Sequence, residues 1–153
     1  MHGQERNLSC AAACLKQLAK DFNLNISESQ IRQWSDFSDQ MGIHEKGMSE
    51  AAKHIFKDHN FGEGLLTQYN FSIEKYHNIL SENGAWVAWV REKVTDLPHA
   101  IIIDKVENGK VFIRDPWPLN NKLGEPGVKG WISEEYFETI WENVGKYAFW
   151  LKK

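Results

Sequence analysis

Two cysteines, four prolines and no long apolar run set the first limits on this chain of 153 residues. A membrane-crossing helix needs about 18 or more apolar residues in succession, and none occurs, so no membrane partner is expected. Cys10 and Cys14 are too few for a disulfide framework. Bridging them would force two side chains one helical turn apart to converge against the helix geometry, so no disulfide is expected. Excess charge of either sign is also lacking: 18 basic residues face 21 acidic ones, a net of -3. That excludes the basic surplus that nucleic acid or an anionic membrane surface would demand. The first seven residues are polar or charged, so no secretory signal is visible. No glycine-rich phosphate cradle occurs. No Cys or His pair has ligand spacing in a suitable loop, and His54 and His59 are one step off a shared helix face, so neither metal nor cofactor is expected.

What is present is an ordinary globular composition, 42% apolar and 25% charged, with seven tryptophans. The length and the lack of any repeat or linker predict a single domain over 1–153. Its first half reads as helical. Ser9 is placed to cap a helix from Cys10 to Phe22, with Ala11, Leu15, Leu18 and Ala19 on its apolar face. Ser27 and Gln30 form a capping-box pattern ahead of Ile31 and Trp34. Ser49 and Ser72 are expected to start two more helices, the second stopped by Gly84. The second half turns to strands: Trp86–Val90, Ala100–Ile103, and Val111–Ile113 returning across the turn signal Asn108-Gly109. A helix over Ser133–Trp141 and a strand over Tyr147–Leu151 follow. The expected class is α+β, an N-terminal helical half packed on a C-terminal antiparallel sheet.

Four residues in this layout carry chemistry together. Cys10 stands at the start of a helix, where unpaired amides favour an anion and lower a thiol's pKa. Cys14, in the Ala-rich helix face, reads as apolar filler. Gln4, six residues before Cys10, could donate an amide hydrogen to an oxyanion beside the Cys10 backbone amide. His99 opens a strand, and the other five histidines lack that setting. Asp115, just before Pro116, ends the strand expected to pair with it, and an acceptor there could hold the imidazole in its useful tautomer. Each alone has an ordinary structural explanation; the ordered set is much harder to obtain by accident.

The set Gln4, Ser9-Cys10-Ala11-Ala12, Pro98-His99-Ala100-Ile101-Ile102 and Val111-Phe112-Ile113-Arg114-Asp115-Pro116-Trp117 resembles the papain-like cysteine peptidases. It is most similar to the bacteriocin-processing branch, which trims double-glycine leaders. Ser9 and Ala11 stand where that branch usually has Asp and Gly. The resemblance implies Cys10 as nucleophile, His99 as general base, Asp115 as orienter and Gln4 as oxyanion donor. A polypeptide substrate is then expected in a groove between the two halves, with Trp117 as a wall of it or as a shield over the His99–Asp115 pair. No transporter segment follows, so leader trimming coupled to export by this chain alone is not expected.

Small papain-like domains also end many bacterial toxins and effectors. On that likeness the chain is expected to be made in a bacterial cytoplasm, to be delivered as part of a larger protein and to be neutralised by an immunity protein. The same residues would serve two other readings, a glutamine deamidase or transglutaminase and an inactive binding module.

Overall fold

A computed structural model of the chain describes residues 1–92, 98–118 and 120–152. Among them are five α-helices and six β-strands, in the order α1 (Cys10–Asp21), α2 (Glu28–Trp34), α3 (Glu45–Ile55), β1 (Asn60–Leu65), α4 (Ile73–Leu80), β2 (Trp86–Arg91), β3 (Pro98–Glu107), β4 (Lys110–Pro118), β5 (Gly127–Ser133), α5 (Glu134–Glu142) and β6 (Tyr147–Lys152). The α+β class read from the sequence is the one observed. The described residues divide into two compact units, one of Met1–Asn60 with Asp115–Val128, the other of Phe61–Arg114 with Lys129–Lys153.

The first unit is built on α1. Ala11 to Leu15, Gln17, Leu18 and Ala19 are all buried, so this helix is covered almost all round. Its alanines suit close approach, and α1, α2 and α3 contact one another pairwise. Ser27 caps α2 as expected, its hydroxyl accepting from the Gln30 amide at 3.1 Å. The third helix starts earlier than the serine pattern implied: His44 is its N-cap and Ser49 lies inside it. Gly47 explains the close packing there, since a Cβ on it would sit 2.2 Å from the Ser35 carbonyl oxygen.

The sheet is ordered β1-β6-β2-β3-β4-β5, and most of its residues belong to the second unit. The pairings of β2 with β3, β2 with β6 and β3 with β4 are antiparallel. The Asn108-Gly109 turn forms as read, with φ of 52° and 74° at its two residues, the left-handed pair that this tight hairpin requires. A bulge between Ile103 and Lys105 breaks the register. It releases Asp104 to take the Arg114 guanidinium in a two-pronged contact at 2.8 and 3.0 Å. Helices α4 and α5 supply Tyr76, Leu80, Phe137 and Trp141 to a core completed by Trp86, Ala88, Ile101 and Ile103 of the sheet. Only Trp86 and Trp141 of the seven tryptophans are fully enclosed, and Trp131 is 44% exposed.

Two strands escaped the sequence reading. β1 contains Gly62 and Gly64, which break the alternation a strand normally displays. Gly62 is required there, because a Cβ would lie 2.5 Å from the Trp150 ring. β5 begins within the Gly- and Pro-rich loop and was read as part of it.

Candidate active site

The first unit holds Gln4, Cys10, Asp115 and Trp117, and the second holds His99. Cys10 is the first residue of α1 and is half-buried, whereas Cys14, one turn on, is completely buried. Both are thiols. No acidic side chain lies in the first turn of α1. The helix's positive end therefore meets no carboxylate of its own first turn. Ser9 occupies the N-cap position but makes no side-chain cap bond. The first helical bond runs instead through its backbone, from the Ala13 amide to the Ser9 carbonyl at 3.0 Å.

The Ser9 hydroxyl is engaged behind the helix. It accepts from the Arg6 amide at 3.0 Å, and its own hydrogen lies within reach of the Arg6 carbonyl and of a Glu28 carboxylate oxygen at 3.1 and 3.3 Å. Gln4 is fully buried. Its side-chain Nε2 donates to the carbonyls of Arg6 and Asn7 at 2.8 and 2.9 Å, while its Oε1 has no partner among the described residues. In this arrangement the amide braces the loop leading into Cys10, and both its hydrogens are taken. A donor role toward a ligand requires it to exchange one of them.

The loop is tied to the Asp115 segment. The Gln4 backbone amide donates to the Pro116 carbonyl at 2.9 Å, and the Gly124 amide donates back to the Gln4 carbonyl at 2.9 Å. A Cβ on Gly127 would fall 2.2 Å from the Asp115 carbonyl oxygen, so only glycine allows the two backbones to close there. Asp115 is half-buried, and one of its carboxylate oxygens accepts from the Trp117 amide at 2.9 Å. The Trp117 ring nitrogen donates to Asn121 at 2.6 Å. The structure thus brings Gln4 and the Asp115-Pro116-Trp117 segment together within one unit.

His99 is the second residue of β3, half-buried and paired with Val90 of β2. By strand alternation it shares a side of β3 with Ile101 and Ile103. Three of the other histidines have local explanations. His54 stacks on Trp34, His59 packs edge-on to Phe22 and Phe56, and His77 accepts from the Trp86 ring nitrogen at 3.0 Å. Burial holds the His77 pKa below its ordinary value. Among the described residues no cluster of three or more His, Cys, Asp or Glu is arranged to hold a metal ion, and no helix is long and apolar enough to cross a membrane.

One buried carboxylate near Cys10 was not found from the sequence. Glu28 is only 1% exposed. It receives the Glu5 amide on both oxygens at 3.2 Å and a close contact from the Arg32 guanidinium, which also pairs with Glu5 at 3.0 Å. Glu28 is the first residue of a short helix after a capping serine, and the sequence does not single it out. Burial pushes its carboxyl up to about 7. The Glu5 amide opposes that rise, the Glu5 charge adds to it, and Arg32 and the Ser9 hydroxyl oppose it. A carboxyl raised from about 4.5 to about 7 on folding binds its proton more tightly in the folded state. Its contribution is therefore fully present below about 4.5 and is lost as pH rises through about 7. Glu28→Gln should flatten the fall in urea midpoint between about pH 5 and pH 7.5; equal slopes for wild type and variant would show that Glu28 does not titrate there.

Comparison with known proteins bears on the family and the fold. The profile of the Peptidase C39 family matches residues 1–147. Among solved structures, the peptidase domain of Streptococcus ComA, a bifunctional ABC transporter of a quorum-sensing pathway, superposes with a TM-score of 0.70 at 21% identity, over 97% of this chain and 94% of that one. A double-glycine-motif protease from an AMS/PCAT transporter, solved with its leader peptide, gives 0.66 at 18% identity over 98% and 88%. A C39-like peptidase from Bacillus anthracis gives 0.70 at 15% identity over 100% and 94%. No curated protein matches. These low identities speak for the shared fold, while the family profile spans nearly the whole chain: the protein belongs to the Peptidase C39 family and is a cysteine peptidase of papain-like fold.

Proposed function

We propose that Cys10 is the nucleophile of this peptidase, His99 its base and later its acid, Asp115 the residue that orients the imidazole, and Gln4 with the Cys10 backbone amide the donors to the oxyanion. The observation that carries the reading is the half-exposed thiol at the first residue of a helix with no acid in its first turn. The Cys10 thiolate attacks the scissile carbonyl carbon. The tetrahedral oxyanion collapses as the C–N bond breaks, and the imidazolium gives its proton to the leaving amine. Water, deprotonated by the imidazole, then attacks the thioester carbon; the C–S bond breaks, the acid is released, and the thiolate leaves while the imidazolium keeps the proton. Gln4 serves by trading one of its two carbonyl partners for the oxyanion. Trp117 follows the orienting residue and forms a wall for bound substrate.

The substrate class is a polypeptide cut after two glycines, as the name of the double-glycine-motif protease suggests for that protein. A synthetic peptide with Gly-Gly before the cleavage point should be cut, and its Ala-Ala counterpart should be cut much more slowly. Equal rates would remove the double-glycine assignment. Alkylation at about pH 6, where an ordinary thiol of pKa about 8.5 is mostly protonated, should label Cys10 before Cys14. First labelling at Cys14 would overturn the nucleophile assignment.

Service as a toxin or effector domain restrained by an immunity protein is a further proposal, supported by the likeness to small papain-like domains of such proteins. Active protein should then slow the growth of an expressing bacterium while Cys10→Ala does not. Equal growth without a co-expressed inhibitor would remove the toxin reading for those cells.

A further inference from the structure

We propose that Glu28 is a positioning residue for Cys10, holding the loop between Gln4 and the nucleophile from behind without touching substrate. The inference rests on the reading of Cys10 as nucleophile. Two ends of one loop converge on this single buried carboxylate. Glu5, the residue after Gln4, gives its amide to both carboxylate oxygens at 3.2 Å. Ser9, the residue before Cys10, directs its hydroxyl to one of the same oxygens at 3.3 Å. Arg32, one turn along α2, closes the arrangement by contacting Glu28 and by pairing with the Glu5 carboxylate at 3.0 Å.

The separation of Gln4 and Cys10 is thereby referred to one rigid point on α2. Inside the loop the Gln4 amide adds its own ties to Arg6 and Asn7, and the Arg6 amide donates to Ser9. Ser9 and Glu28 are both essentially inaccessible to solvent. A buried carboxyl held in this way, ionised or protonated, is a poor device for stability alone, because an apolar group of the same volume would do as well or better. It does hold a geometry, and an active site tolerates only about 0.5 Å of slack in its reacting groups. The hydroxyl at the N-cap position is shared between Arg6 and Glu28 and makes no bond to the helix amides, so the start of α1 is held by its own loop and by α2.

The test compares wild type, Glu28→Gln, Ser9→Ala and Cys10→Ala as full chains. Thermal melting reports folding, and iodoacetamide alkylation of Cys10 at several pH values reports the thiol without any substrate. Cleavage of the Gly-Gly peptide gives kcat and KM separately. Folded Glu28→Gln is expected to alkylate at least about threefold more slowly near pH 6 and to lose about tenfold in kcat with KM nearly unchanged, the pattern of a small misplacement of the reacting atom. Ser9→Ala should move both quantities the same way by less. Wild-type alkylation and wild-type kcat in folded Glu28→Gln would overturn the proposal. Should Glu28→Gln fail to fold, Ser9→Ala decides in its place by the same two readouts. Turnover by Cys10→Ala would overturn the nucleophile assignment and this inference with it. Inactive Cys10→Ala beside fully active Glu28→Gln would overturn this inference alone.

Discussion

Cys10→Ala and His99→Ala are each expected to reduce peptide hydrolysis by a factor on the order of 10⁴ to 10⁶, with Asp115→Ala losing less. A nucleophile and its base act as a unit, so deleting either one costs nearly as much as deleting both. The orienting acid biases tautomer and geometry, and some turnover survives without it. The size of the effect separates Cys10 from Cys14. Cys14 is fully buried in the alanine-rich part of α1, so Cys14→Ala removes packing and no chemistry. It should keep wild-type kcat and lower stability by about 1 kcal/mol. Wild-type turnover by His99→Ala would refute the base assignment, and loss of activity in folded Cys14→Ala together with retention in Cys10→Ala would exchange the two cysteines. Kinetics on the Gly-Gly peptide, with circular dichroism as a check on folding, decides among these outcomes.

The largest effect on stability is expected at Trp141. Its ring stacks on Phe137 with centroids 5.4 Å apart and meets Tyr76 edge-on at 5.2 Å and Trp86 at 5.4 Å. Its ring nitrogen donates to the Tyr147 carbonyl at 2.8 Å, which joins α5 to β6. Trp141→Ala opens a cavity among rings that cannot collapse into it and leaves a buried carbonyl without its donor. A loss of about 3–5 kcal/mol follows. Trp141→Phe keeps most of the packing and loses the hydrogen bond, at about 1–3 kcal/mol. Trp131 is the control: it is 44% exposed and touches Phe112 edge-on. Trp131→Ala should stay within about 1 kcal/mol. Urea unfolding of the three variants measures the difference, and similar losses for Trp141→Ala and Trp131→Ala would mean that the aromatic cluster does not carry the second unit.

Local rules of the chain were enough for much of this protein. Periodicity placed α1 on Cys10 at its first residue, because a helix start is a property of nearby side chains. Ser27, Ser72 and Ser133 each accept from the amide three residues on, a bond that needs nothing beyond its own turn. Asn108-Gly109 set the hairpin, since only left-handed residues close a turn that tight. The candidate set Gln4, Cys10, His99 and Asp115 could likewise be picked out, because the proposed chemistry asks for those side chains by type.

Tertiary structure decided the rest. The strands β1 and β5 are rich in glycine, and nothing in their local pattern announces a sheet; neighbouring strands recruit them. Gly62 is explained only by the Trp150 ring that lies against it, and Gly127 only by the Asp115 backbone. The bulge at Asp104 makes sense once Arg114 stands opposite. Glu28 is the clearest case. In the sequence it is an ordinary acid at a helix start, favoured there by the helix dipole. Its burial, its raised pKa and its hold on Glu5 and Ser9 arise only when α2 is laid against the loop before Cys10, because contacts across 19 to 23 positions of chain leave no trace in local spacing.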